Sequence, residues 1–252
     1  MKNAIVTGAS SGIGEATVRA LARKGWAVTA IARREDRLER LERELPAVTP
    51  LAVDLTADDA PGRVAAAVEE RLGGRLDLLV NNAGASWKTE FGADDGGHAN
   101  VRRTMELNFD APVRLCEALL PALRRSAPSA IVNVCSVAGR VAYPTASSYA
   151  ASKFALAGWS EALHLEEAGH GVHVGVVFPG FVATEGFPQS GLRSRAATRW
   201  AVSRPERVAE AILAAGPGRK AERTVPRPYA LVPVLRAVAS GAWRRISGFV
   251  KP

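Results

Sequence analysis

The sequence is poor in the features that secreted, disulfide-bonded or membrane-spanning proteins need. Only two cysteines, Cys116 and Cys135, occur in 252 residues. Because no pairing motif accompanies them, they favour a reducing compartment over a disulfide framework. No run of 18 uncharged apolar residues is present, so we expect no membrane span. The first residues lead directly into a predicted strand, so we also expect no signal peptide and a cytoplasmic location.

Histidine is scarce as well, which argues against two kinds of site. None of the four histidines lies in a motif with Ser136, and no Gly-x-Ser-x-Gly elbow occurs, so Ser-His-Asp hydrolysis is disfavoured. No cluster of histidine, cysteine and acidic residues has ligand spacing, so we predict no metal site. The histidines are His98, His164, His170 and His173.

Charge is unevenly distributed along the chain. The net charge is +8, yet residues 1–189 carry −2 and residues 190–252 carry +10. A basic segment is the electrostatic footprint of many nucleic-acid-binding proteins. Since no recognition motif accompanies the charge, we predict no nucleic-acid partner.

Apolar runs alternate with helical patterns, and this alternation predicts an α/β fold. We expect a single-domain Rossmann fold, a doubly wound parallel sheet of about seven strands flanked by helices. The predicted strands are Ala4–Thr7, Ala27–Ala32, Val48–Ala52, Leu76–Asn81, Ala130–Cys135, Val172–Phe178 and Tyr229–Val232. The predicted helices are Gly14–Lys24, Arg34–Glu44, Asp58–Leu72, Asn100–Arg125, Ala146–Glu167 and Pro205–Ala215.

We place one domain over residues 1–252. A cofactor-binding and catalytic core covers 1–184, a substrate-covering segment covers 185–204, and a basic amphipathic tail covers 229–252. Ligands of such sheets bind beyond the carboxyl ends of the strands, where the chemistry-bearing motifs of this chain fall.

A glycine-rich turn joins the first strand to the first helix. Gly8, Gly12 and Gly14 follow the spacing Gly-x-x-x-Gly-x-Gly. Glycines let the backbone turn tightly and approach a pyrophosphate at the helix N-terminus, so the turn predicts dinucleotide binding. A purely structural turn is the alternative. The neighbouring positions Ser10, Ser11 and Ile13 belong to the same predicted loop.

The end of the second strand lacks the acid that would bind the ribose 2′-hydroxyl of NAD. Ala32 occupies that place, and Arg33 and Arg34 follow it. Arginine suits the 2′-phosphate of NADP, so we predict that NADP(H) is preferred over NAD(H). A solvated helix start is the alternative interpretation.

Tyr149 and Lys153 stand four residues apart, and Ser136 lies thirteen positions before the tyrosine. Residues i and i+4 share one helix face, so phenol and ammonium can face the same cleft. A nearby cation favours the phenolate, and we therefore expect Lys153 to lower the pKa of Tyr149. By itself this pair is also consistent with an ordinary helix surface.

Taken in order, the motifs resemble the short-chain dehydrogenase/reductase family over about residues 2 to 190. The resemblance rests on the glycine turn, Asn81-Asn82-Ala83-Gly84, Ser136, Tyr149-x-x-x-Lys153 and Pro179-Gly180. It implies that Tyr149 is the general acid/base, that Lys153 also binds the nicotinamide ribose, and that Ser136 positions the substrate oxygen.

The resemblance also implies roles for residues that follow other strands. It places Asp54 and Leu55 near adenine and Asn108 in a water chain from Lys153. The alternative for Asp54 is a turn or helix-capping aspartate, and the alternative for Asn108 is a helix-surface asparagine. The nicotinamide side would be walled by Asn82, Ala83, Gly84, Pro179, Gly180, Val182 and Thr184.

We therefore expect an NADP(H)-dependent oxidoreductase that interconverts a carbonyl and an alcohol of an unidentified small molecule. A non-catalytic cofactor-binding protein, or an epimerase or dehydratase on the same fold, stays open. The resemblance further implies a homo-oligomer, dimer or tetramer, built on the long helices.

The C-terminal tail has a helical stripe of apolar residues opposite basic and polar ones. One side holds Leu231, Val234, Leu235, Val238, Ala242, Ile246 and Phe249. A terminal helix packed on its own domain or on a partner subunit is one interpretation. The other is a basic amphipathic helix that rests on an anionic membrane or borders the entrance for an apolar or acidic substrate.

Overall fold

Seven parallel strands form one sheet in the computed structural model, which describes residues 1–87, 89–185, 201–241 and 245. The strand order is β3-β2-β1-β4-β5-β6-β9, so the predicted doubly wound α/β fold is confirmed. A separate parallel pair joins β7 and β8. The strands are β1 Asn3–Thr7, β2 Ala27–Ala32, β3 Val48–Ala52, β4 Leu78–Asn81, β5 Ser129–Val134, β6 Val172–Pro179, β7 Phe181–Val182, β8 Val202–Ser203 and β9 Glu222–Val225.

Helices cover both faces of the sheet and bury two apolar layers. Leu21, Leu41 and Ile212 belong to one layer, and Val68 and Leu119 belong to the other. Coverage of both faces explains why the central strands β4, β5 and β6 are buried at every position rather than at alternate ones. The helices are α1 Gly12–Ala22, α2 Glu35–Glu44, α3 Ala60–Leu72, α4 Gly97–Met105, α5 Ala111–Arg125, α6 Ser147–Glu167, α7 Pro205–Ala215 and α8 Leu231–Val238.

The direction of winding reverses between β1 and β4, which lie side by side. From β1 the chain winds outward to β2 and β3, then crosses back to β4 and continues to β5 and β6. The loops that leave β1 and β4 therefore diverge and open a crevice at the carboxyl edge, the usual ligand position in such sheets.

The helix predicted over Asn100–Arg125 is continuous in space but not uniform. A π-helical turn, Glu106–Asp110, separates α4 from α5. Such turns are rare and occur frequently at functional sites. This one holds Asn108, which is fully buried.

The strand predicted at Tyr229–Val232 is wrong. The seventh strand of the sheet is β9, Glu222–Val225, and it pairs with β6. Tyr229 instead lies in a 3-10 turn, and Leu231 begins α8. The prediction failed because a short apolar run is compatible with a strand or a helix.

Helix α8 turns its polar side toward the domain and its apolar side outward, which is the reverse of an ordinary terminal helix. Arg236, on its polar side, donates to the Arg140 carbonyl at 2.9 Å and stacks over the Phe154 ring. Its apolar side faces outward, so packing of that stripe on its own domain is not observed. Leu231, Val234, Leu235 and Val238 are 54–77% exposed.

Other positions of the predicted stripe, Ala242, Ile246 and Phe249, lie outside the described residues. Among the helices that the structure does describe, none has the length and apolar character needed to cross a membrane.

Candidate active site

A cavity of about 670 Å³ opens at the carboxyl ends of the central strands. That volume is typical of small-molecule and cofactor sites. All of the predicted site residues line it except Gly14 and Asn108, which lie directly behind its wall. Those that line it are Gly8, Ser10, Ser11, Gly12, Ile13, Arg33, Arg34, Asp54, Leu55, Asn82, Ala83, Gly84, Ser136, Tyr149, Lys153, Pro179, Gly180, Val182 and Thr184.

The geometry of the turn after β1 requires its glycines. Gly8 and Gly12 have φ of +65° and +56°, a region that side-chain-bearing residues rarely adopt. A Cβ on Gly14 would collide with the carbonyl of Gly8, and it would lie 2.7 Å from the amide nitrogen of Asn82. The loop thus leaves backbone N–H groups at the start of α1 close to the cavity, which fits a pyrophosphate.

The loops after β1 and β4 are tied together by side chains. Asn82 donates from its side-chain amide to the Thr7 carbonyl at 2.9 Å. The Thr7 hydroxyl in turn accepts the backbone N–H groups of Asn82 and Ala83 at 2.9 and 3.0 Å. These bonds satisfy buried backbone groups that the diverging strands leave without ladder partners.

Ser136, Tyr149 and Lys153 converge on the same cavity from two elements. Ser136 follows β5, and its hydroxyl accepts the Ala138 N–H at 3.1 Å and donates to the Pro179 carbonyl at 3.4 Å. Lys153 is buried on α6, and its Nζ donates to the Val134 carbonyl at 3.0 Å. The Nζ lies 5.9 Å from the centroid of the Tyr149 ring.

The pKa of Tyr149 is raised, whereas the sequence predicted that it is lowered. Burial raises it well above the usual phenol value, and the hydrogen bond with Ser136 offsets only part of that rise. Burial also lowers the pKa of Lys153. The expected lowering of the Tyr149 pKa by Lys153 is therefore not observed, because desolvation disfavours both charged forms at once.

Asn108 reaches the site from the π-helical turn. Its Oδ1 accepts the Ala85 N–H at 2.9 Å, and its Nδ2 donates to the Ala85 carbonyl at 2.9 Å and to the Ser152 hydroxyl at 3.1 Å. The helix-surface alternative is excluded by this burial. A Cβ on Gly84 would stand 3.0 Å from Asn108 Oδ1 and 3.4 Å from Lys153 Nζ, so a side chain at this position would crowd Asn108.

The other end of the cavity is basic. Arg34 spans the glycine turn, donating to the Ser10 and Ser11 hydroxyls at 3.0 and 2.9 Å. Arg33 is mostly exposed and lies 3.9 Å from a carboxylate oxygen of Asp54. Asp54 accepts the backbone N–H and the hydroxyl of Thr56, and the backbone bond is the main reason that its pKa is lowered. Asp54 therefore lies in a turn, and because it also lines the cavity, its contact with adenine stays a prediction.

Sequence reasoning missed several residues that complete the cavity wall. Tyr143, Phe181, Tyr229 and Val232 all line it. The Tyr229 ring lies so close to Gly180 that a Cβ there would collide with it, which explains the glycine after Pro179. No local pattern marks Tyr229, because its contact with Gly180 joins segments far apart in the chain.

Most of the predicted substrate-covering segment, residues 186–200, lies outside the described residues. Its ends are described: Glu185 contacts α2, and Val202–Ser203 forms β8. Cys135 is buried directly after β5, and its Sγ contacts the Lys153 carbonyl at 3.0 Å. Burial raises its pKa, which agrees with an unreactive thiol.

The doubly wound parallel sheet and the glycine turn are those of a Rossmann-type α/β fold. Comparisons with known proteins specify it further. The family model described as short chain dehydrogenase matches residues 2–193. A short chain dehydrogenase of Pseudocercospora fijiensis is 37% identical over 199 residues, which are 77% of this chain and 64% of that protein. This chain thus spans less than two thirds of that relative.

Solved structures give the same result. The NADP active-site complex of RhlG from Pseudomonas aeruginosa superposes with a TM-score of 0.77 at 31% identity, covering 89% of this chain and 94% of that one. An NADP complex of a short chain dehydrogenase from Burkholderia cenocepacia gives a TM-score of 0.81 at 27% identity, with full coverage of both chains. The chain belongs to the short-chain dehydrogenase/reductase family of oxidoreductases.

The pKa direction of Tyr149 leads to a measurable expectation. Tyr143, Tyr149 and Tyr229 are the three tyrosines, and burial raises the pKa of each. Ultraviolet difference titration of the wild type against Tyr149→Phe isolates one phenol. We expect no phenolate from Tyr149 up to about pH 10, the ordinary tyrosine value.

The same shift predicts a stability difference. Above about pH 10 the unfolded chain releases the Tyr149 proton while the folded protein retains it, so this group makes the free energy of unfolding fall as pH rises. In denaturant titrations, the free energy of unfolding of Tyr149→Phe should lack this part of the decrease with pH. A Tyr149 phenolate that forms below about pH 9 would mean that a neighbouring cation outweighs burial.

Proposed function

We propose that this protein is an NADP(H)-dependent oxidoreductase that interconverts a carbonyl and an alcohol, with Tyr149 as the general acid/base. One observation carries the proposal: Ser136, Tyr149 and Lys153 face the same cavity as the glycine turn and the basic pair Arg33 and Arg34. The complexes of two structural neighbours with NADP support the choice of cofactor.

A bound nicotinamide supplies hydride transfer, which no side chain of the protein can perform. The backbone of the glycine turn would hold the pyrophosphate, and Arg33 and Arg34 would hold the 2′-phosphate. Lys153, which lines the same cavity as Gly84, would bind the adjoining ribose.

The protein's own residues manage the proton. Tyr149 is protonated at neutral pH in this cleft, so its hydroxyl is ready to donate a proton to a carbonyl oxygen. Ser136, fixed by Ala138 and Pro179, can orient and polarise that oxygen. Asn108 clamps the Gly84–Ala85 backbone against α6, so it positions the wall that faces Lys153.

The function is tested by following NADPH oxidation against a panel of aldehydes, ketones, steroids, sugars and acyl thioesters. Substrate-dependent oxidation is the expected result. An epimerase or dehydratase would convert its substrate without net NADPH consumption, and a non-catalytic binding protein would bind NADPH without turnover.

With an active substrate, Tyr149→Phe keeps the ring and removes the transferable proton. We expect turnover to fall by roughly 10²- to 10⁴-fold, the usual contribution of general acid catalysis. NADPH binding, measured by fluorescence, should persist, which also shows that the variant is folded. Lys153→Ala should weaken both. Near-normal kcat in Tyr149→Phe would reject the assignment.

Cofactor preference is tested by Arg33→Asp, which replaces a phosphate-binding cation with the acid that NAD-binding proteins carry. We expect NADPH affinity to fall by roughly 10- to 100-fold and NADH affinity to change little, since a charge-assisted bond to the 2′-phosphate is lost. Equal dissociation constants for NADPH and NADH in the wild type would contradict the preference.

Because the apolar side of α8 faces outward, we propose a homo-oligomer in which a second copy of the chain covers this side. Leu231 and Val238 are 64% and 77% exposed, and such stripes are normally covered. Leu231→Ser with Val238→Ser should reduce the mass measured by light scattering, while Phe91→Ser, at an equally exposed site, should not. A monomeric wild type that sediments with anionic vesicles would instead identify a membrane contact.

A further inference from the structure

Glu185 forms an ion-pair cluster at the basic end of the cavity that the dinucleotide motifs do not explain. Its carboxylate contacts Arg37 through two atom pairs, one at 2.9 Å and one shorter. Its Oε1 also lies 3.6 Å from Nη1 of Arg34. Arg37 is the main reason that the pKa of Glu185 is lowered, so the side chain is ionised at neutral pH.

The position of Glu185 follows from the path of the chain after β7. Thr184, the preceding residue, packs on the glycine turn, where a Cβ on Gly12 would stand 3.0 Å from its methyl carbon. The next residue reaches α2, which begins directly after the arginine pair at the end of β2. The chain therefore crosses the outer side of the glycine turn and delivers a carboxylate beside Arg34.

Arg34 has few donors left for another anion. Its Nε and Nη2 donate to the hydroxyls of Ser10 and Ser11, and its Nη1 faces Glu185. A 2′-phosphate that binds Arg34 must approach this same Nη1 edge, where a carboxylate of like charge already lies. Carboxylate and phosphate compete for guanidinium groups because both match its planar fork.

We infer that Glu185 is a specificity-determining residue that competes with the cofactor 2′-phosphate for Arg34 and so restrains the preference for NADP(H) over NAD(H). Arg37 is its anchor, since it holds the carboxylate in place through both oxygens. The inference rests on the proposed role of Arg33 and Arg34 at the 2′-phosphate. It assigns a function to a residue next to Thr184 that is not itself among those that line the cavity.

The test measures binding without turnover, using two probes that differ only in the 2′-phosphate. Calorimetry gives dissociation constants of 2′,5′-ADP and 5′-AMP for the wild type, for Glu185→Gln and for Glu39→Gln. The control removes one carboxylate from another exposed ion pair, Glu39 with Arg43, on the same helix as Arg37. Side-chain exposure is similar, 57% for Glu185 and 52% for Glu39, so net charge and exposure are matched.

Glu185→Gln should raise the affinity ratio of 2′,5′-ADP to 5′-AMP by about 5- to 10-fold at low salt, since a like charge near the phosphate is removed. The gain should shrink at about 0.5 M salt, where exposed charges are screened. Glu39→Gln should leave the ratio near the wild-type value.

Two outcomes would overturn the inference. If Glu185→Gln changes both affinities by the same factor, Glu185 merely holds the chain over the cavity. If neither affinity changes, the ion pair has no role in binding. If the wild type binds 2′,5′-ADP and 5′-AMP equally well, only the proposed cofactor choice is contradicted. The effect of Glu185→Gln on the ratio of the two affinities can still be measured in that case.

Discussion

The cleft depends on a steric constraint at the centre of the sheet. The turn after β1 and the end of β4 approach so closely that neither Gly8 nor Gly14 has space for a Cβ. Neighbouring strands are only about 4.8 Å apart, so two loops that leave adjacent strands in opposite directions start in contact. The Thr7 hydroxyl and the Asn82 amide use that contact to satisfy the released backbone groups. The first turn of α1 is thereby held against the cavity.

Desolvation has opposite effects on the two principal ionisable groups of the cleft. It keeps the phenol of Tyr149 neutral by raising its pKa, and it weakens the ammonium of Lys153 by lowering its pKa. A buried ammonium is tolerated only with hydrogen-bond partners, and the Val134 carbonyl provides one. An ion pair between the two is therefore disfavoured, because the phenol stays protonated beside the buried lysine.

Sequence patterns predicted most of the fold because its signals are local. Six strands and the helix Pro205–Ala215 follow from apolar runs and their periodicity, and the glycine turn follows from spacing. The pattern failed at Tyr229–Val232, where a short apolar run fits a strand or a helix equally well. It also missed the direction of the Tyr149 pKa, because spacing shows that a cation is near but not how deeply both groups are buried.

Residues that act through tertiary contacts left no signal in the sequence. Glu185 meets Arg37 across 148 positions of chain, and Tyr229 meets Gly180 through a ring contact. Neither belongs to a motif, and each depends on how a loop crosses the carboxyl edge of the sheet. Local sequence motifs therefore predict the candidate catalytic residues of such a cleft better than they predict the residues that shape its selectivity.

The contact of Tyr229 with Gly180 has an evolutionary consequence. Tyr229 and Val232 belong to the C-terminal region beyond the matched family segment at 2–193, yet they form part of the cavity wall. Gly180 lies inside that segment, where its missing side chain makes room for the aromatic ring. Changes in the C-terminal region can thus alter the shape of the cavity while Ser136, Tyr149 and Lys153, which lie inside the matched segment, stay unaltered.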